Sequence, residues 1–372
     1  KDAAAEFVTT PVNFTDLNVS FFTNFPNLSV SLKDLSINAP KEFGNLKTVE
    51  SNSVDLGIDL FSLFSDQIKF TKLYVNEGKF NVVTDSLGNF SFAIFKSSDE
   101  PSPDSSFSLA LNKIHVKNTD VLYQDDQSKI KIQTKNTNIS GNVQVTDKYI
   151  NFETEADIKS LFFGLDKSIL VDHKPLKGTI NTKVNLDPVS VEFNKSELLL
   201  ANLPLNVLGK VAVLEKGIDF NLDVKSNNAS LENLFSLVPQ EYQKWYDGMT
   251  FKGTSNIHLL LKGLMQDSVS NPDLNIKLDI ANGSIAAKQF QNIPVKNLHT
   301  KTELNLPQLD PDSLTVTIPE FAFNLGKGHV KGKALYKFPM FVDADLNADL
   351  NVTQLWQALA ISGMQLKGDV VL

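Results

Sequence analysis

The chain has 372 residues, 42% of them hydrophobic, with no cysteine and a formal net charge of −8. Disulfides and thiolate metal sites are thereby excluded. All 35 basic residues are lysine, so the basic face and arginine forks that grip nucleic acid are missing, and nucleic acid is not an expected partner. Phenylalanine, at 26 residues, joins Ile, Val and Leu in favouring strands. The excess of Asn and Lys reads as an AT-rich base composition rather than as function.

Ala3 to Thr9 reads as a short helix broken by Pro11. Lys1 to Glu6 looks like the interior of a helix, so an anchor segment is expected before it. Val12 to Phe22 and Leu28 to Ile37 read as strands, the second with a phase slip at Lys33-Asp34 that predicts a bulge or bend. Val54, Leu56, Ile58 and Leu60 alternate with Asp55, Gly57 and Asp59, the pattern of a half-buried strand. Phe61 to Phe64 reads as one turn tucked against a sheet. Ile68 to Val75 and Phe80 to Val83 follow as strands joined at Glu77-Gly78. A tight turn over Asp85 to Asn89 leads to a fourth strand, Phe90 to Phe95.

Lys96 to Ser106 is polar, holds two prolines and is the best boundary in the chain. It reads either as the division between a region 1–95 and a region 107–372 or as a surface loop inside one continuous sheet. The second region opens with strands at Phe107 to Leu111, Ile114 to Tyr123, Lys129 to Asn136, Ile139 to Val145 and Tyr149 to Ala156. Ile158 to Phe163 reads as a helical turn echoing Leu60 to Phe64. Leu176 to Leu186 is a strand opening with Leu-Lys-Gly. That triplet recurs at Phe251-Lys252-Gly253 and Leu366-Lys367-Gly368, each time after a Gly-Met pair and a helix, which hints at a repeat. Ile218 to Val224 is a strand. Ser230 then caps a helix with Leu231, Leu234, Phe235 and Val238 on one face, restarted at Pro239 and running to Tyr246. Thr353 caps a second helix to Ile361. Leu366 to Leu372 stops while a strand is beginning, so further chain is expected.

Between those helices the alternation is clear. Ile257, Leu259 and Leu261 form one apolar row, and Leu274, Ile276, Leu278 and Ile280 another, ending at an Asn282-Gly283 hairpin signal. Ile293, Val295, Leu298 and Leu304 follow. Leu314, Val316 and Ile318 and then Phe321, Phe323 and Leu325 make a pair kinked at Pro319. Nearly every strand has one apolar and one polar face. Two architectures satisfy this: a sandwich burying the apolar faces against a second sheet, or a long curved sheet rolled into an open trough.

Chemistry is sparse. His115, His173, His258, His299 and His329 are dispersed and lack the spacing of metal ligands. Asp125-Asp126 and Asp310-Pro311-Asp312 sit at turn signals, without the spacing of a calcium loop. Ser128 to Lys131 matches Ser-x-x-Lys but lacks its companion motifs. Gly326-Lys327-Gly328 lacks the ending of a phosphate loop and reads as a hairpin turn. Trp245, Tyr242 and Tyr246 read as a helix packed on a sheet end, with an interfacial aromatic belt as the alternative. No run of 18 apolar residues occurs. Neither a catalytic constellation nor a cofactor site is expected.

The run VDLGIDLFSLFSDQIKF followed by LYVNEGKFNVVTDSLGNFSF, preceded by FPNLSVSLKDLSINAP (Phe25 to Pro40), resembles the N-terminal region of AsmA-like proteins. The resemblance is good over residues 1–95 and looser beyond. It implies a mostly-β fold, an elongated, curved and largely antiparallel sheet forming a trough, with a few short helices. It also implies a periplasmic protein of a Gram-negative bacterium, anchored in the inner membrane by an N-terminal helix. Phospholipid or other acyl chains, and envelope proteins, are the implied partners. Ile257, Leu259, Leu261, Leu274, Ile276, Leu278 and Ile280 are then the candidates to line the lipid groove. A closed β-protein acting as an envelope scaffold is the competing expectation, and an enzyme comes last.

Overall fold

The computed structural model describes residues 8–20, 27–64, 69–94, 109–146, 148–166, 168–238, 246–266, 269–287, 293–351 and 369–371. Two compact units divide the chain, Lys1–Asp187 and Pro188–Leu372. Strands build both, and the expected mostly-β, largely antiparallel class with few short helices holds. The polar stretch Lys96 to Ser106 lies outside the described residues.

In the first unit, β1 (Val12–Asn13) and β2 (Asp16–Ser20) both pair with β3 (Asn27–Asn38). β3, β4 (Lys47–Asp59) and β5 (Phe70–Thr84) are antiparallel neighbours. β5 then runs parallel to β6 (Leu109–Asp125), so the two strands start at the same end of the sheet. β7 (Ile130–Val145), β8 (Tyr149–Leu165) and β9 (Ser168–Leu186) continue antiparallel.

The second unit is an antiparallel meander. Its strands are β10 (Val189–Leu200), β11 (Leu203–Leu214), β12 (Gly217–Ser230), β13 (Met249–Met265) and β14 (Asp273–Ala287). They are followed by β15 (Val295–Leu306), β16 (Thr315–Leu325), β17 (Gly328–Lys337), β18 (Phe341–Asn351) and β19 (Asp369–Val371). A short helix, α1 (Leu231–Phe235), stands between β12 and β13, and the Ser230 side chain accepts from the Asn233 N–H as the sequence predicts.

Several sequence-predicted turns are left-handed residues inside longer strands. Glu77-Gly78 does not join two strands: β5 runs through it, with Glu77 at φ 50°. Asn282-Gly283 is no hairpin either, since β14 continues past it to Ala287 with a register shift between Ile280 and Gly283. Both signals report a need for left-handed backbone, which a bulge shares with a tight turn. The slip read at Lys33-Asp34 is a bend rather than a bulge: Asp34 takes φ 49°, and the register against β4 runs unbroken from Lys33–Ser53 to Leu35–Ser51.

These left-handed residues fall on neighbouring strands at matching levels. In the first unit Glu77, Asn118 and Asn136 lie side by side on β5, β6 and β7. In the second, Asn228, Gly253, Asn282 and Asn297 do the same from β12 to β15. Asn tolerates positive φ better than other side chains, so part of the Asn excess is structural, not only compositional. Side chains take up backbone groups along these rows: Asn118 N, Asn136 N and Asn228 N donate to Asn138, Asp120 and Asn256, and hydroxyls serve others. Ser51 donates to Asn76 O (3.0 Å), Gly78 N donates to Thr119 Oγ1 (3.3 Å) and Ser255 donates to Ala229 O (3.3 Å). Asn282→Val is expected to cost about 1–2 kcal/mol, the penalty of a branched side chain in left-handed backbone, while Asn282→Gly is expected to be near neutral. Urea midpoints at unchanged slope check this; equal midpoints for the two variants would contradict it.

Other expectations need correction. Ile158 to Phe163 is strand, in the middle of β8, because its alternating partners on β7 and β9 outweigh its local helical look. Phe90 makes a single bridge to Thr84, and turns rather than a fourth strand carry the chain to Ile94. Phe61–Phe64 is one 3-10 turn, but it is not tucked in: Phe61 is 66% and Phe64 86% exposed, and Ser62 is the buried residue. Leu176-Lys177-Gly178 lies inside β9 rather than opening a strand, and Phe251-Lys252-Gly253 lies near the start of β13, so these two triplets are not equivalent repeat starts. Helix beyond Leu231 is confirmed only to Phe235. Residues 239–245, most of the Ala3 to Thr9 helix, the Thr353 to Ile361 helix and the Leu366 triplet lie outside the described residues.

Candidate functional site

Strand alternation puts the candidate residues on one face of the second unit. Directly opposite one another on β13 and β14 stand Ile257 and Leu278, Leu259 and Ile276, and Leu261 and Leu274. The wall extends to Leu222 and Val224 on β12, facing Leu261 and Leu259, and to Leu304 and Leu306 on β15, facing Ile276 and Leu274. Leu222 and Val224 carry the same alternation in the sequence and belong with the candidates. Cross-strand apolar pairs of this kind are what hold a sheet together.

Among the described residues, each strand of the unit packs chiefly on the strands it pairs with, and no second sheet of the unit lies across this face. Ile257, Leu259, Leu261, Leu274, Ile276 and Leu278 are half-buried, and Leu278 also packs on the core that α1 closes. Ile280 differs. It is 7% exposed and belongs, with Leu231 and Phe251, to a core that α1 closes.

That core caps one end of the face. Leu231 is anchored there, and Phe235 lies flat on Phe251 with ring centroids 3.7 Å apart. Tyr246 meets both rings edge-on and donates its hydroxyl to Phe235 O (3.1 Å). Burial pushes the Tyr246 hydroxyl pKa up. The packed-helix reading therefore describes Tyr246, while Trp245 and Tyr242 lie outside the described residues. The opposite end has no such cap among the described residues: its hairpin tips present Val213, Leu214, Val269 (71% exposed) and Met340 (85% exposed).

The first unit repeats this plan. Leu56 faces Leu73, Leu73 faces Ile114, and Val54, Val75, Val116, Ile139 and Ala156 continue the apolar row from β4 to β8. Phe92, on the turns after β5, packs on the core of Leu35, Val49 and Val54 at one end. Beside it the Thr48 hydroxyl, fully buried, donates to the Ser91 carbonyl (3.0 Å), and Ile94 O accepts from Thr9 N (2.7 Å).

The other face of the second unit is polar and largely self-neutralised. Glu192 pairs with Lys210 (3.5 Å), Lys277 with Glu303 (3.9 Å) and Lys301 with Glu320 (2.6 Å), in each case directly across neighbouring strands. The Lys301 hydrogen bond holds the Glu320 carboxyl below the usual carboxylate range, and Glu320 raises Lys301 in return. The five histidines stay apart: His258 meets Asp223 (3.0 Å), His173 meets Ser160 (3.0 Å), His329 meets Asn324 (2.9 Å), His299 lies near Glu320 (3.8 Å) and His115 is edge-on to Tyr74. Asp125 and Asp310 accept turn N–H groups, the backbone role their positions suggest. Ser128 donates to Asp125 (2.6 Å), and Gly326-Lys327 forms the β16–β17 hairpin turn. Among the described residues, no three His, Asp or Glu side chains gather as a metal site, and no helix is long and apolar enough to cross a membrane.

Neither a curated protein nor a solved structure matches the chain. The model of the AsmA family matches residues 15–254, well over half of the sequence, and takes in the whole first unit's β2 to β9 together with β10 to β12, α1 and the start of β13. The chain belongs to the AsmA family.

Proposed function

We propose that this protein shields lipid acyl chains in the bacterial envelope and carries out no catalysis. The observation that carries the proposal is the open apolar face, built from cross-strand pairs such as Leu259 with Ile276, capped by α1 at one end and by no second sheet of its unit. Membership of the AsmA family supports an envelope role. In this reading acyl chains lie along Ile257, Leu259, Leu261, Leu274, Ile276 and Leu278, with Ile280 at the closed end. Each buried methylene contributes about 0.8 kcal/mol, so binding needs no polar pocket.

The dimensions suit one leaflet's lipid. Ile257 to Met265 spans roughly 27 Å at about 3.4 Å per residue, and a bilayer's hydrocarbon core of about 30 Å gives each leaflet's chains roughly 15 Å. Tails point toward α1, and the headgroup rests at the uncapped end near Val213 and Val269. The protein works in the periplasm, held to the inner membrane by an N-terminal helix, and supports phospholipid movement between membranes and outer-membrane biogenesis. Native mass spectrometry of the protein purified from a Gram-negative host is expected to show bound phospholipid. Protein that emerges lipid-free, and stays so after incubation with phospholipid vesicles, would sink the proposal.

A further inference from the structure

The Phe61–Phe64 turn presents two aromatic rings to solvent, and its hydrogen bonds hold it in that pose. It follows β4 at the end of the first unit where β5 and β6 begin. Asp59 Oδ1 accepts from the N–H groups of Phe61 (2.9 Å) and Ser62 (3.1 Å). The Ser62 hydroxyl, on a buried residue, donates to Asp59 O (2.6 Å) and accepts from Lys69 N (2.9 Å). Asp59 N donates to Lys69 O (2.8 Å). Side chains three residues apart on a 3-10 turn eclipse one another, so Phe61 and Phe64 share the outward side. They are 66% and 86% exposed. The small polar residue faces in and the two large apolar ones face out, the reverse of what burial alone would select.

The charge around the turn says which partner the rings suit. Lys69 is exposed beside it. Lys72 and Lys113 stand directly across from each other on β5 and β6, within a few residues of the same end. The nearby carboxylates of β4 are engaged locally, Asp59 by the turn and Asp55 by the Ser31 hydroxyl. The opposite end of these strands gives the contrast. Leu87, in the turn after β5, is 84% exposed, but its surroundings are acidic. Asp85 accepts from Leu87 N (2.9 Å), Asp125 and Asp126 lie at the end of β6, and Lys129 is paired with Asp166 (3.8 Å).

We propose that the Phe61–Phe64 turn is a membrane-binding element: both rings enter the interfacial layer of a bilayer, and Lys69, Lys72 and Lys113 meet the phosphates of anionic phospholipid. Apolar rings beside lysines are the combination that holds amphipathic segments on anionic membranes, and each lysine near such a leaflet adds attraction. Lys72 lies roughly 10 Å along the strand from Lys69, and the headgroup layer is about 5–7 Å deep. Rings set in that layer therefore leave the lysines among the phosphates. The turn acts independently of acyl-chain binding, whose residues lie in the second unit.

The chain has no cysteine, so Phe64→Cys and Leu87→Cys each give the whole protein a single site for an environment-sensitive fluorophore. The probes are vesicles of phosphatidylcholine, with and without phosphatidylglycerol. The Phe64→Cys label is expected to shift to the blue with vesicles, and further with phosphatidylglycerol, while the Leu87→Cys label stays unchanged. In unlabelled protein, Phe61→Ala with Phe64→Ala is expected to weaken co-sedimentation with anionic vesicles at least about tenfold. Lys72→Gln with Lys113→Gln is expected to weaken it about tenfold on anionic vesicles and to leave binding to phosphatidylcholine alone unchanged. The inference is overturned by unchanged emission from the Phe64→Cys label, by equal shifts from the two labels, or by co-sedimentation that survives loss of both rings. It is overturned equally by a shift at the Phe64→Cys label that appears without vesicles and grows with protein concentration, which would assign the turn to contacts between copies.

Discussion

Leu259→Asp is expected to abolish bound lipid while the protein stays folded. Leu259 is half-buried between Val224 and Ile276 on a face that no second sheet of its unit covers. A carboxylate placed there reaches water, so the cost is the lost apolar contact with its neighbours, about 1–2 kcal/mol. In a closed sandwich the same substitution would bury an unpaired charge and unfold the protein. Acyl chains, by contrast, would have to desolvate that carboxylate to lie across it. Leu278→Asp should remove lipid equally but cost more stability, because Leu278 also packs against the core beneath α1. Circular dichroism melting and lipid quantified by mass spectrometry, run on both variants, separate the two architectures. Cooperative loss of structure in Leu259→Asp, with no lipid ever found on the parent protein, would favour the closed scaffold.

The second large effect is expected from Leu231→Ala, at about 2–5 kcal/mol. Leu231 is 1% exposed and is held between Phe251 and Ile280. Truncation leaves a cavity under a helix of five residues, too short to hold its shape without tertiary contacts. The Ser230 cap and the Phe235–Phe251 stack remain, but both depend on α1 being seated. Urea denaturation should show a lower midpoint for the second unit. Leu234→Ala, a partly buried neighbour of the same core, should cost clearly less. Equal costs for the two would mean that α1 is not pinned through Leu231.

The two substitutions probe parts of the face that were unequally legible. Period-two alternation in Ile257 to Leu261 and Leu274 to Ile280 marks one apolar side whatever surrounds it, because successive side chains on a strand point to opposite faces. The register that sets Leu259 opposite Ile276 follows from short connections between successive antiparallel strands. Ser230 as a cap was legible for the same local reason: its side chain needs only the N–H of Asn233.

Nonlocal questions were not legible. Glu77-Gly78 and Asn282-Gly283 have the composition of hairpin turns, and only the neighbouring strands decide that the chain runs straight on through them. Ile158 to Phe163 has no local feature that forbids a helix, and its pairing on both sides makes it strand. Whether an apolar face meets another sheet or is left open is likewise absent from periodicity, since both arrangements demand the same alternation. The chain by itself determined strand content, the apolar side of each strand and the capped start of α1, all set by interactions within a few residues. Tertiary structure alone decided the rows of left-handed residues, the closure of one end over Ile280 and the openness of the rest, because those depend on which distant segments come to lie against the face.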